Sequence, residues 1–384
     1  MSKKIGCVIA YKKNHTNYGT SLVGYALIEK LRQLGFDVEI INYVKRYSFF
    51  KKASIALSQF RVLGWKMFRA HFKANSGNSN YINGIKERTL SVEAYKERKL
   101  MPFFHDYIGY EALKNGSKNY EAVIVGSDQV WLPVGLKTGF FNLLFVDDSV
   151  RKISYASSFG VSEIPNFQKK DTAHYLDRFF RISVREQKGK EIVDSLSKNK
   201  ASVVADPTML LDRNEWTEII KDSKVATFVP YIFCYFLGSN PEARKAANEL
   251  KEKTGYKIIT LRHMDEFVES DELFGDEAPY NVNPEDFVKY IMDAAYVLTD
   301  SFHCSAFSIQ FQKKFMTFYR FAIGAKGNRN SRIDSLFNVL AVSREHIYQG
   351  DISKVDSPVD WNLVERKLQS FRNNSIEFLK DALA

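Results

Sequence analysis

Residues 297–311 read V-L-T-D-S-F-H-C-S-A-F-S-I-Q-F. The apolar run Tyr296–Thr299 has the length and composition of a buried strand, and Ser305–Phe311 reads as an apolar helix. Between them stands a polar knuckle, Asp300-Ser301-Phe302-His303. A strand that passes through such a knuckle straight into a helix is the repeating unit of a parallel α/β sheet. Ligands bind these sheets just past the carboxyl ends of the strands. Unpaired N–H groups at a helix start favour an anion, and a histidine there can hold a phosphate or move a proton near neutral pH. An ordinary turn whose histidine satisfies a nearby carbonyl accounts for the same residues.

Outward from this stretch the alternation recurs. In the second half, strands are predicted at 228–236, 257–261 and 314–318, with helices at 241–254 and 284–294. Asn283 with Pro284 behind it is a strong helix start. In the first half, strands fall at 5–10, 37–43, 122–125, 152–157, 180–184 and 202–205, with helices at 20–34, 167–178 and 188–197. Trp361–Leu383 reads as a terminal amphipathic helix. The expectation is two parallel-sheet lobes, 1–212 and 225–355, followed by the helix 361–384. The boundary is placed in the charged stretch Asp212–Lys224.

The 384 residues are 45% hydrophobic and 14% aromatic, which excludes a disordered chain and supports large cores. Cys7, Cys234 and Cys304 lie far apart with no C-x-x-C pair, so a disulfide framework and a structural zinc site are not expected. The apolar run Ile5–Ala10 is too short for a signal peptide or a membrane span, and a cytoplasmic protein is expected.

Net charge is +10, and it is concentrated. Residues 44–99 hold 13 Lys and Arg against 3 Glu, so this one insertion carries the whole surplus. Tyr47, Phe49, Phe50, Phe60, Trp65, Phe68 and Phe72 are interleaved with those charges. Such a segment can lie on an anionic membrane surface or embrace a polyanionic substrate. It reads equally as a solvated helical insertion with a half-buried aromatic face. No nucleic-acid motif accompanies it, and residues 76–80 are predicted to form a flexible tip.

Four further polar knots fall at strand ends. Asn17-Tyr18-Gly19-Thr20-Ser21 opens the first helix, where small residues let a ligand approach backbone amides. Gly126-Ser127-Asp128-Gln129 follows the strand E-A-V-I-V; a Gly-containing turn with Asp128 as its cap is the plain alternative. Arg185-Glu186 follows 180–184, and a guanidinium there suits a phosphate or carboxylate, though a local ion pair would also place it. Asp206-Pro207-Thr208 reads mainly as a fixed turn. No P-loop, G-x-G-x-x-G, G-x-S-x-G or H-E-x-x-H pattern occurs.

Taken in order, these segments resemble the polysaccharide pyruvyl transferase family. The matching stretches are N-Y-G-T-S-L-V-G-Y-A-L at 17–27, V-G-S-D-Q-V-W at 125–131 and I-S-Y-A-S-S-F-G at 153–160. They continue with S-V-R-E at 183–186, A-D-P-T-M-L-L at 205–211, N-P-E-D-F at 283–287 and T-D-S-F-H-C-S-A-F-S-I at 299–309.

The resemblance implies a GT-B-like α/β fold, two Rossmann-like lobes facing a central cleft. It implies transfer of a pyruvyl group from phosphoenolpyruvate to hydroxyls of a sugar in a bacterial-type surface polysaccharide or its lipid-linked precursor, giving a pyruvate ketal. It also assigns roles. His303 and Arg185 would hold the donor, with Ser301 and Phe302 beside them, and Asn17, Tyr18, Gly19, Gly126, Ser127 and Asp128 would line the opposing lobe. Asp128 or Glu186 would take the hydroxyl proton. No metal or cofactor is called for, and the enzyme would work in the cytoplasm or at the inner face of the cell membrane.

The sequence departs from the family pattern at Asp300 and Cys304, where Asn and Gly are usual. A carboxylate beside an anionic donor is expected to be turned away. Two other readings share the fold: a glycosyltransferase using a nucleotide sugar, and a non-catalytic glycan- or membrane-binding protein.

Overall fold

The computed structural model describes residues 4–71, 78–264, 267–321 and 330–384, with the backbone alone over 65–71. The first lobe comprises β1 (Lys4–Val8), α1 (Tyr18–Gln33), β2 (Asp37–Val44), α2 (Phe49–His71), α3 (Ser79–Lys99), β3 (Phe104–Ile108) and α4 (Tyr110–Gly116). It continues through β4 (Ala122–Val125), β5 (Arg151–Ser157), α5 (Lys169–Leu176), β6 (Arg181–Val184), α6 (Gln187–Leu196) and β7 (Ala201–Val203). The strands form one parallel sheet in the order β3-β2-β1-β4-β5-β6-β7. All four residues of β4 are buried, as a strand covered on both faces requires.

The second lobe contains α7 (Arg213–Ile219), β8 (Tyr231–Tyr235), α8 (Pro241–Thr254), β9 (Lys257–Thr260), α9 (Pro284–Asp293), β10 (Tyr296–Thr299), α10 (Phe302–Gln310), β11 (Lys314–Thr317) and α11 (Ser331–Leu340). Its parallel sheet has the order β11-β10-β8-β9. The terminal helix α12 (Trp361–Leu383) ties both lobes together. Its Val364 and Leu368 enter the core of the second lobe, while Leu379 and Leu383 pack beneath β1 and β5.

Strand order reverses between β1 and β4 in the first sheet and between β8 and β10 in the second. These two switch points are where crevices open at the carboxyl edge of a parallel sheet. The lobes meet along α1, whose Tyr18, Leu22 and Ala26 share one apolar core with Trp216, Phe287 and Phe307.

Within the charged stretch Asp212–Lys224 the chain folds into α7, opened by an Asp212–Glu215 capping box, and its Trp216 is wholly buried. Other expectations need correction. Helix α10 begins at Phe302 rather than Ser305, so the knuckle is itself the helix start. Of the predicted tip, residues 76–77 lie outside the described residues, whereas Asn78 caps α3 and Ser79–Asn80 are already helical. Strand β3 and helices α4 and α11 were not foreseen.

The basic insertion divides in two. On α3 several of the cations are structural: buried Arg88 donates to the carbonyls of Tyr280, Arg262 and Pro279, and Arg98 and Lys99 pair with Glu285. Helix α3 thus clamps one lobe to the other. On α2 the solvent face instead carries an apolar stripe. Among the described residues no helix is long and apolar enough to cross a membrane.

Candidate active site

The site is assembled from chain segments at the carboxyl edges of both sheets. On the first lobe, Asn17 caps α1 by accepting the Thr20 N–H at 3.1 Å. The Thr20 hydroxyl then donates to Asp128 Oδ2 at 2.9 Å, joining the first turn of α1 to the loop after β4. Asp128 itself sits at φ 75°, a left-handed conformation that aspartate tolerates better than most residues.

Arg185, at the end of β6, is the hub. Its Nη1 donates to Asp206 Oδ2 at 2.7 Å and stands 3.4 Å from His303 Nε2. Its Nη2 donates to Asp128 Oδ1 at 3.4 Å, and the guanidinium lies 4.5 Å from the centre of the Phe302 ring. Nε is 3.9 Å from Glu186 Oε2, and both atoms are buried with no hydrogen-bond partner among the described residues. Ser158 donates to the other Glu186 oxygen at 2.6 Å.

The second lobe contributes α10. Ser301 caps it and accepts the Cys304 N–H, which places Phe302 and His303 in the first turn. The imidazole reaches across the junction to stand 3.6 Å from Asp206 Oδ2. It also packs against α1, where a Cβ added to Gly19 would come within 2.1 Å of His303 Nδ1. Only glycine at 19 allows that approach.

The carboxylates differ in proton affinity. Burial opposes the charge of Asp206 and of Asp128, yet both pKa values fall below the ordinary range. His303 and Arg185 outweigh burial at Asp206, and Arg185, His303, Arg332 and the Thr20 hydroxyl do so at Asp128. At Glu186 burial prevails over the same guanidinium, and the pKa rises. Neighbouring carboxyls pushed in opposite directions are the usual basis for separate base and acid roles.

Of the residues singled out in the sequence, Arg185, His303, Asp128, Glu186 and Phe302 come together here, with Asn17, Gly19 and Ser301 shaping the helix ends around them. Three do not present a side chain to the site. Tyr18 is fully buried and stacked on Phe287 with ring centres 4.9 Å apart, so it fills the core between the lobes. Gly126 is held against the Tyr155 carbonyl, which a Cβ would meet at 1.9 Å. Ser127 is buried and donates to the Ala156 carbonyl at 2.6 Å.

Asp206, read as a turn residue, has two functions. One oxygen accepts the Thr208 amide and hydroxyl while the other holds Arg185. Thr20 belonged to the knot at 17–21 but was given no role of its own, and Ser158 and Arg332 were not anticipated. Arg332, in the first turn of α11, adds a second guanidinium whose field reaches Asp128 and Glu186.

Asp300 is turned away from the cluster, as expected of a carboxylate there. It accepts the Leu237 N–H at 2.7 Å across the β8/β10 switch point and pairs with Arg320. Cys304 is buried and its thiol pKa is raised by burial, which suits a packing residue rather than a nucleophile.

The family model of polysaccharide pyruvyl transferases matches residues 17–320. Among curated proteins, none matches the chain by sequence. Among solved structures, the UDP-GlcNAc 2-epimerase from Neisseria meningitidis bound to UDP-GlcNAc is similar at a TM-score of 0.50 and 9% identity, over 99% of both chains. The ADP-heptose LPS heptosyltransferase II of E. coli gives a TM-score of 0.35 at 8% identity, over 97% of this chain and 99% of its own. Anabaena HepE in complex with UDP and glucose gives 0.46 at 7%, over 99% and 100%. At such identities the likeness is one of fold, and the fold is GT-B-like: two parallel-sheet α/β lobes with their carboxyl edges turned to one another.

Proposed function

Because the chain belongs to the polysaccharide pyruvyl transferase family, we propose that it moves the pyruvyl group of phosphoenolpyruvate onto two hydroxyls of one sugar, closing a ketal and releasing phosphate. The observation that carries this reading is the convergence of Arg185 and His303, from different lobes, on one buried cluster with an ionised carboxylate at Asp128. The donor bears a phosphate and a carboxylate, and guanidinium groups with an imidazole at a helix start are suited to both.

In this reading Asp128 takes the proton of the attacking hydroxyl, because its carboxyl is held ionised. Glu186, which keeps its proton more readily, protonates the methylene carbon, and the new C–O bond forms at the central carbon. The second hydroxyl then adds as the bond to the phosphate oxygen breaks, with His303 steadying the departing phosphate. Of the two hydroxyl protons, one ends in the methyl group and the other on phosphate. These steps draw only on side chains of the cluster.

Incubation with phosphoenolpyruvate and a panel of free and lipid-linked glycans should give glycan-dependent phosphate release and an acid-labile pyruvate ketal on the glycan. Sugar transfer from UDP-sugars with no response to phosphoenolpyruvate would instead make the chain a glycosyltransferase. Binding of neither donor would leave a non-catalytic glycan-binding protein.

The reading places the enzyme at the inner face of the cell membrane, where lipid-linked saccharides are built. Phe49, Ala53, Leu57 and Phe60 recur at helical spacing along the solvent face of α2, opposite buried Ser58, and Phe50 and Leu57 are 84% and 62% exposed. Exposed Lys51 and Lys52 adjoin the stripe. An amphipathic face of this kind is stabilised on anionic lipid, each lysine contributing about 1 kcal/mol near the surface.

Lys51→Glu with Lys52→Glu should therefore weaken binding to phosphatidylserine-containing vesicles at least about tenfold, and added salt should weaken the unaltered protein in the same direction. Phosphoenolpyruvate binding should be untouched. Equal vesicle binding by both proteins would reduce α2 to a structural insertion.

A further inference from the structure

A cavity of about 410 Å³ opens over the carboxyl ends of β1 and β2, on the side of α1 away from His303. That size suits a small organic ligand. Its walls mix aromatic rings, among them Tyr11, Tyr43, Phe104 and Phe140, with polar groups from Asn17 and Asn42. Flat apolar rings with polar groups between them are the surface a pyranose needs, since a sugar ring presents C–H groups on its faces and hydroxyls at its rim.

The cavity also has a sign. Its lining includes Lys12, Lys45 and Lys96 and no aspartate or glutamate. Lys96 is already committed: its ammonium donates to the carbonyls of Lys12 at 3.1 Å and His15 at 2.9 Å and to Glu93 at 2.7 Å. Lys45, which is exposed to solvent, is not, for among the described residues its ammonium has neither an ion pair nor a hydrogen bond. Tyr43 adds a buried group that is unmet. It lines the cavity, is 8% exposed, and its hydroxyl is buried without a partner among the described residues. A buried hydroxyl left unpaired is costly and is ordinarily satisfied by something.

The cavity is joined to the cluster through one side chain. Thr20 lines it and donates to Asp128 Oδ2. A ligand in the cavity therefore lies one residue away from the carboxylate proposed to take the hydroxyl proton.

We propose that this cavity is the acceptor site and that it selects an acidic saccharide, one whose carboxylate or phosphate pairs with Lys45. The name acceptor rests on the pyruvyl-transfer reading; the charge selection rests on the cavity alone. Lys45 is then a specificity determinant, since a neutral saccharide would fill the same space and leave the ammonium unpaired.

The test is titration calorimetry on the full chain without donor, using neutral, uronic-acid-containing and phosphorylated oligosaccharides. Phosphoenolpyruvate is titrated separately. An acidic saccharide should bind about tenfold more tightly than its neutral counterpart, as a hydrogen bond to a charged group allows. Lys45→Ala should erase that difference, Lys45→Arg should keep most of it, and both should bind phosphoenolpyruvate like the unaltered chain. Whether the uronic-acid or the phosphorylated series responds identifies the anionic group. Equal affinity for neutral and acidic saccharides, no saccharide binding, or an unchanged preference in Lys45→Ala would overturn the proposal. So would loss of phosphoenolpyruvate binding in Lys45→Ala, which would make the cavity the donor site. Saccharide binding by a chain that never binds phosphoenolpyruvate would instead count against pyruvyl transfer.

Discussion

Arg185→Lys should lower kcat/KM for phosphoenolpyruvate-dependent ketal formation by about a hundredfold to a thousandfold while leaving the protein folded. Lysine keeps the charge, but a single ammonium cannot replace a planar fork that engages Asp206, Asp128 and the Phe302 ring together. His303→Ala should lose activity on the same scale, because the imidazole is the second lobe's contribution to the cluster.

Arg185→Ala is the less informative variant. It strands the Asp206 and Asp128 carboxylates in a buried setting, and breaking a pair of that kind costs about 3–5 kcal/mol of stability. A fall in activity there would mix lost chemistry with lost structure. Steady-state kinetics with a thermal melt of each variant separates the two. Near-normal turnover in a folded His303→Ala protein would remove the histidine from the mechanism.

The strand-to-helix units were legible because apolar runs of four or five residues with turn signals at either end leave little choice of structure. Helices α8 and α12 fall where Pro241 and Trp361 announce them. What a single sequence does not carry is which strand ends meet. Asp206 looked like a turn residue because its local bonds to Thr208 are those of a turn; its second oxygen finds Arg185 only through the pairing of β6 with β7.

Tyr18 was misread for the opposite reason. It stands beside residues that do shape the site, yet it also begins the stripe Tyr18, Leu22, Ala26, and that spacing is the signature of a buried helix face. Charge on α3 was equally deceptive. Arg88 and Lys96 counted toward a basic surface, but they are spent on backbone carbonyls that no pattern of charge reveals. Arg332 had no motif around it at all, and only the position of α11 brings it to the cluster.

Gly19→Ala tests the contact between the lobes more directly than any change to a charged group. Glycine costs an exposed helix about 1 kcal/mol relative to alanine, so on propensity alone the substitution should stabilise α1. In this chain the new methyl would lie 2.1 Å from His303 Nδ1, and the ring would have to leave its place beside Arg185 and Asp206. Overpacking of that kind costs about 1–3 kcal/mol, and displacing the imidazole should reduce turnover nearly as far as deleting it.

The decisive comparison is a double-mutant cycle. With His303→Ala already in place the obstruction is gone, and Gly19→Ala should become neutral or stabilising in chemical denaturation. A change of sign between the two backgrounds is expected only if the imidazole rests on the backbone of α1. The same destabilisation in both would place the effect of residue 19 elsewhere and detach the two lobes' contributions to the site from one another.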